Sequence, residues 1–191
     1  MAAQFTSLVA LADALATSLI NEGAGHHPLL DLGMKWLALG GVPAIIFTVV
    51  AQWWNTNERS RRRHAVLSSG FAFLLSLGIN QIVLLVVERT RPYDAIASHL
   101  IIPPSADPSF PSDHASAAFA VAFSFLLLGW RRKGMWYAVA AALLALSRVY
   151  VGIHYLGDVV GGATTAYLAA SFVYLAFRQE SQLNQRLSSI L

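Results

Sequence analysis

Long apolar runs broken by short polar clusters dominate the chain, and their lengths set its architecture. Five runs reach or approach the roughly 20 residues that a helix needs to cross hydrocarbon: Leu32 to Trp53, Ala65 to Val87, Ala115 to Trp130, Met135 to Val151 and Tyr155 to Phe177. They predict five transmembrane helices. Ahead of them, Phe5 to Asn21 sets Phe5, Leu8, Ala12, Leu15 and Leu19 on one helical face and Thr6, Ser7, Asp13 and Thr17 on the other. That pattern predicts an amphipathic helix lying in the membrane interface, with a short sixth span as the alternative. The expected fold is all-α, a polytopic integral membrane helical bundle forming one domain over residues 1–191. Within it, 5–21 is the interfacial helix, 32–177 the transmembrane core and 178–191 a cytoplasmic tail.

Composition agrees with this reading. The 191 residues are 56% hydrophobic and only 12% charged, with positive mean hydropathy, far more apolar than a soluble domain of this size needs. There is no Cys, which rules out disulfides and thiolate metal sites. The start, MAAQFTSLV, lacks the basic opening of a secretory signal peptide and is expected to remain on the protein.

A net charge of +3 could suggest nucleic-acid binding, but the basic residues bracket apolar spans instead of forming one stripe. Arg59, Arg61, Arg62 and Arg63 lie between the first two spans, Arg131, Arg132 and Lys133 between the third and fourth, and Arg178 and Arg186 after the fifth. Short basic loops stay cytoplasmic, and these three alternate as five spans require. Trp53, Trp54, Trp130 and Trp136 fall at the same predicted ends, as an aromatic belt does. The opposite, extracytoplasmic side then holds the N-terminal helix, the long Glu88 to Pro111 loop and the Arg148 to Asp158 turn. Long loops of this kind usually carry function.

Three polar clusters converge on that face: ERTRPYD from Glu88, FPSDH from Phe110, and SRVYVGIHYLGD from Ser147. Charged groups at membrane depth cost about 2.5–3.5 kcal/mol each on insertion scales, so their default reading is functional. Arg91 and Arg148 offer planar forks suited to phosphate oxygens. Ser112, at a helix start, adds a hydroxyl beside free backbone N–H groups. His154 and Asp158 are four apart, so a helical turn would put them on one face, the carboxylate holding the imidazole's tautomer. His114 is available as a second imidazole to protonate a leaving oxygen. Phosphoryl transfer through a phosphohistidine uses these parts and needs no metal.

The pattern Arg91-Pro92, then Pro111-Ser112-Asp113-His114, then Ser147-Arg148 with His154 and Asp158 resembles the type 2 phosphatidic acid phosphatase superfamily, membrane relatives of vanadium haloperoxidases and of glucose-6-phosphatase. The resemblance implies His154 as nucleophile, Asp158 as its orienting partner, His114 as general acid, and Arg91, Ser112 and Arg148 as phosphate ligands. Two positions depart from the family pattern. A Lys usual seven residues before the Arg is Leu84 here, a gap that Arg89 could fill, and the Gly of P-S-G-H is Asp113. Both departures, with the stretch IIPPSADPSFPSDH, resemble the bacitracin-resistance-type undecaprenyl pyrophosphate phosphatases. The implied function is hydrolysis of undecaprenyl pyrophosphate to undecaprenyl phosphate and inorganic phosphate in the bacterial inner membrane, recycling the carrier for cell-wall polymers without a cofactor. Another lipid phosphate, such as phosphatidylglycerol phosphate, phosphatidic acid or lipid A, is the alternative substrate. A lipid-binding or transport protein on the same fold is the alternative class.

Other residues have plainer readings. Asp113 suits a first-turn helix acid better than a phosphate ligand, because a carboxylate repels phosphate. His26 and His27 suit a solvated loop, and Asn80 and Gln81 suit hydrogen bonding between spans. Gly157, Gly161, Gly162 and Ala163 suit close packing of the last helix. Glu88, Asp94 and Asp107 are a candidate divalent-cation set.

Overall fold

The computed structural model describes residues 2–96 and 98–178, with side chains from Leu8 onward. Its helices are α1 (Ala2–Asn21), α2 (Pro28–Val50) continued by a short 3₁₀ turn (Ala51–Trp54), α3 (Arg59–Leu84), α4 (Pro92–Ala95), α5 (Asp113–Leu127), α6 (Arg131–Tyr150) and α7 (Leu156–Ala176). Among the described residues there is no strand. Three helical stretches, Pro28–Trp54, Arg59–Leu84 and Leu156–Ala176, are long and apolar enough by themselves to cross a membrane, and Asp113–Leu127 is a shorter apolar helix. The arrangement is that of a membrane protein. The expected tail from residue 179 onward lies outside the described residues.

Every predicted span is helical, with shifted ends. Met135 to Val151 begins instead at Arg131, because basic side chains at a membrane boundary extend their stems along the apolar surface while the helix runs on. Ala65 to Val87 begins at Arg59 for the same reason.

α5 is the central helix, packed against α3, α6 and α7. Its length is lined with small residues, Ala115, Ser116, Ala117, Ala118, Ala120 and Ala122, all buried. Small side chains let backbones approach closely where apolar burial alone gives no drive for helices to associate in lipid. The last helix does the same: a Cβ at Gly162 would lie 2.5 Å from the Ser112 carbonyl oxygen, and one at Gly161 would enter the Phe110 ring. Larger side chains fill the remaining interior, with Phe125 and Leu144 buried among Ile45, Val49 and Val121.

The bundle has two chemically distinct ends. At one, Arg61, Arg62 and Lys133 surround the Trp130 ring, Arg63 lies over Trp53, and His64 stacks on Phe177. At the other meet the end of α3, the start of α5, the end of α6 and the start of α7. The chain returns from α6 to α7 through Gly152, whose φ of +84° favours glycine, and whose added Cβ would meet the His99 carbonyl at 2.5 Å.

The N-terminal helix corrects one expectation. Its polar face was expected toward water; instead Thr17 and Asn21 are buried against the bundle while Leu8, Leu11, Leu15 and Leu19 are exposed. The reason is hydrogen bonding: Asn21 Nδ2 donates to the Tyr150 and His99 carbonyls at 2.7 and 2.9 Å, and Thr17 Oγ1 accepts the Leu156 N–H at 3.0 Å. Backbone groups at an irregular turn need such partners wherever water is excluded.

Candidate active site

Asp113 opens α5 directly after Ser112 at the N-cap position. The Ser112 N–H donates to the Asp158 carbonyl at 3.0 Å, which ties the start of α5 to the first turn of α7. Asp158 is fully buried at the third position of α7 and accepts the Tyr155 N–H at 2.8 Å, an acid closing its own helix start. Its remaining acceptor capacity is met by the Ser109 hydroxyl and by Arg89 Nη1 at 2.7 Å.

His154 lies in the turn before α7 and not on a helix, which corrects the expectation of a shared helical face. Its Nδ1 is 2.9 Å from the Ser109 carbonyl oxygen and 3.5 Å from Asp158 Oδ2. A carbonyl only accepts, so Nδ1 carries the proton and Nε2 keeps its lone pair. The backbone of Ser109 is the nearer tautomer-setting group, and Asp158 stands behind it. Burial holds the His154 imidazole below its ordinary value; Arg148 and Arg91 push the same way, and Asp158 opposes them.

A cavity of about 210 Å³ opens beside this imidazole, lined by His114, His154, Arg91 and Arg148 together with Gln81, Leu84, Asp107 and Asp113. Arg91 donates from Nε to the Asp107 carbonyl at 2.8 Å, from Nη1 to the Ile153 carbonyl at 2.9 Å and from Nη2 to Ser105 Oγ at 3.1 Å. Arg148 Nη1 donates to the Ala38 carbonyl at 3.0 Å. All of these acceptors are neutral, so two buried guanidinium charges face one cavity with no carboxylate among the described residues bonded to either. Arg148 Nε and the hydroxyl of the fully buried Ser112 have no hydrogen-bond partner among the described residues. An unpaired buried polar group costs about 1–3 kcal/mol, a penalty that an anion's oxygens relieve.

Arg89 does not join this set. Its guanidinium is held by Asp158 and by Asp13 of α1, over the Tyr155 ring at 4.0 Å, outside the lining of the cavity that Arg91 and Arg148 face. Burial works against its charge, yet the bonds to Asp13 and Asp158 outweigh that and hold it above its ordinary value. Asp113 accepts Asn80 Nδ2 at 2.7 Å, and the same amide reaches Ser116 Oγ at 2.8 Å, so Asn80 does join two helices. Among the described residues no three His, Asp or Glu side chains gather as a metal-ligand set; Glu88, Asp94 and Asp107 line one open pocket without meeting as such a set.

Sequence reasoning missed Ser109, Ser105 and the Asp13 contact. Ser109 is 45 residues from His154 and bonds mainly through its backbone, which leaves no pattern in sequence. Asp13 did carry a signal, a carboxylate within an otherwise apolar helix.

The sequence profile of the PAP2 superfamily matches residues 65–182, a stretch holding Arg91, Ser112, His114, Arg148, His154 and Asp158. This chain belongs to the PAP2 superfamily. It is 33% identical over 157 residues to the undecaprenyl-diphosphatase BcrC of Bacillus subtilis, covering 82% of this chain and 79% of that one. It is 29% identical over 178 residues to a protein of Escherichia coli described as a putative undecaprenyl-diphosphatase, YbjG, covering 90% and 86%. The crystal structure of a transmembrane PAP2-type phosphatidylglycerolphosphate phosphatase from Bacillus subtilis shares the fold, with a TM-score of 0.68 at 22% identity over 95% of this chain and 92% of that one. As a PAP2 protein the chain is a phosphatase, and the cavity described above lies within the matched stretch.

Proposed function

We propose that this protein hydrolyses undecaprenyl pyrophosphate to undecaprenyl phosphate and inorganic phosphate through a phosphohistidine. The observation that carries the reading is the cavity itself, in which two buried arginines, bonded among the described residues to neutral acceptors, face two imidazoles. Its volume is below the roughly 300–1,000 Å³ of sites that enclose a whole ligand, which suits a phosphate head group with the lipid tail outside. The similarity to BcrC favours the polyprenyl substrate.

Arg91 and Arg148 bind the terminal phosphate, and the Ser112 hydroxyl adds a donor. His154 Nε2 attacks the terminal phosphorus as the bridging P–O bond breaks, and His114 donates its proton to the departing oxygen of undecaprenyl phosphate. Water then attacks the phosphohistidine and gives a proton to His114; the P–N bond breaks and the lone pair returns to Nε2. The Ser109 carbonyl and Asp158 stabilise the positive charge that the ring acquires. No step calls for a metal, so turnover persists in chelator and vanadate inhibits it.

Five spans in the bacterial inner membrane, with the cavity on the extracytoplasmic face and the C-terminus cytoplasmic, are the matching topology. Its support is the separation of the basic cluster around Trp130 from the cavity end. The decisive experiment measures phosphate release by the purified protein from undecaprenyl pyrophosphate, phosphatidylglycerol phosphate, phosphatidic acid and lipid A. Highest kcat/KM on the polyprenyl substrate and loss of turnover in H154A are expected. Preference for a glycerolipid overturns the substrate, and undiminished release by H154A overturns the nucleophile.

A further inference from the structure

Every amide at the start of α7 has a partner, and two of those partners come from α1. Tyr155 N–H donates to Asp158, and Asp158 N–H to the Tyr155 carbonyl at 3.1 Å. Between them, Leu156 N–H donates to Thr17 Oγ1 at 3.0 Å and Gly157 N–H to Asp13 Oδ1 at 2.7 Å. The first N–H groups of a helix have no partner within it, and here another helix supplies them. Asp13, Thr17 and Asn21, spaced four apart, form one stripe of α1: Asp13 and Thr17 meet the first turn of α7, which carries Asp158, and Asn21 meets the Tyr150 carbonyl at the end of α6. A Cβ at residue 157 would stand 2.7 Å from Asp13 Oδ2, so this contact also needs glycine.

A row of charges runs through the same contact. Asp13 and Asp158 both bind Arg89, and Asp158 backs His154. Arg89 is thus shared, and Asp13 limits how far it neutralises the buried Asp158. The PAP2 match begins at residue 65, so α1 lies outside the family's matched stretch.

Resting on the reading of His154 as nucleophile, we propose that Asp13 and Arg89 are positioning residues of the phosphatase reaction, which set the orientation and charge of the Asp158–His154 pair from outside the cavity. α1 is then part of the working site and not only an anchor. Neither residue touches the cavity that would hold phosphate.

The test compares D13N, R89Q and T17V with wild type in the same detergent, reading kcat, KM, melting temperature and the pH dependence of kcat/KM. The groups facing His154 are Arg148 from α6, Arg91 from the α3–α5 connection, His114 from α5 and Asp158 from α7, and all are unchanged in these variants. R89Q removes the cation beside Asp158 and favours protonated His154, so the acid limb moves to higher pH. D13N leaves Arg89 wholly to Asp158, and the acid limb moves to lower pH. In both, kcat falls roughly 10- to 100-fold, the scale of a misplacement near 1 Å, with KM within about twofold. T17V lowers the melting temperature and leaves the acid limb in place.

Shifts of the same sign in D13N and R89Q, or no shift in either, overturn the inference. Should those two fail to fold, D13E and R89K keep both charges and alter only geometry: reduced kcat with an unmoved limb supports the inference, and wild-type kcat in both overturns it. H154A separates the two levels. Turnover that survives in H154A removes the reading on which the inference rests; turnover lost in H154A with unmoved limbs in D13N and R89Q removes the inference alone.

Discussion

Replacing Gly162 by Ala tests whether the contact between α5 and α7 positions the chemistry. The added methyl would sit 2.5 Å from the Ser112 carbonyl oxygen, 3.0 Å from Ser116 Oγ and 3.1 Å from Ala115 Cβ, two of them on α5 and one at its N-cap. An unstrained contact needs about 3.5 Å, so α7 must retreat from α5 by roughly 1 Å. Overpacking of that kind costs about 1–3 kcal/mol. The same retreat stretches the 3.0 Å bond from Ser112 N–H to the Asp158 carbonyl and separates His114, on α5, from Asp158, on α7. A misplacement of about 1 Å between reacting groups lowers turnover on the order of 100-fold. The matched control is G78A, on the exposed side of α3, where nothing lies within 4 Å of the added Cβ. There, Ala in place of Gly stabilises a helix by up to about 1 kcal/mol. Melting temperature and phosphate release, measured on both variants in one detergent, should therefore move in opposite directions from wild type for stability, and kcat should fall only in G162A. Wild-type turnover and melting temperature in G162A would refute the reasoning.

S109A removes one hydroxyl from the fully buried Asp158 and should destabilise the fold by about 1–3 kcal/mol. It leaves the carbonyl that holds His154 Nδ1 in place, so turnover should drop less than in D158N; loss of activity as severe as in D158N contradicts that division of roles. The acid limb of kcat/KM, which reports loss of the neutral nucleophile, should lie below the ordinary imidazole value of about 6.5, because burial beside Arg148 and Arg91 resists protonation of His154. A limb above 7 in the pH profile contradicts it. D113G should keep phosphate release while losing the Asn80 hydrogen bond, at a cost near 1 kcal/mol in thermal unfolding. Collapse of turnover with an unchanged melting temperature would show that the carboxylate takes part in the chemistry.

The apolar runs were enough to find every long helix of the bundle, because burying about 20 residues in hydrocarbon leaves little choice of backbone. Arg91, His114, Arg148 and His154 were also legible, since charged groups in such surroundings stand out, and the structure brings all four to one cavity. Helix ends were less legible where basic side chains let a helix run past its apolar stretch, as at Arg131.

Other features depend on which groups the folded backbone leaves unsatisfied. The amphipathic pattern of α1 put Asp13 and Thr17 on a face expected toward water, and the amides of Leu156 and Gly157 turn that face onto protein instead. Arg89 and Arg91 are two residues apart and equally basic in sequence, yet one is bound by two carboxylates and the other faces the cavity through neutral acceptors. Spacing brought His154 near Asp158, but the group nearest Nδ1 is the carbonyl of Ser109, from a distant loop. The sequence by itself determined the helices and the chemical inventory, because hydropathy and rare intramembrane charges are local properties. Only the tertiary structure decided which charge meets which partner, because hydrogen bonding at helix ends joins segments that sequence separation does not relate.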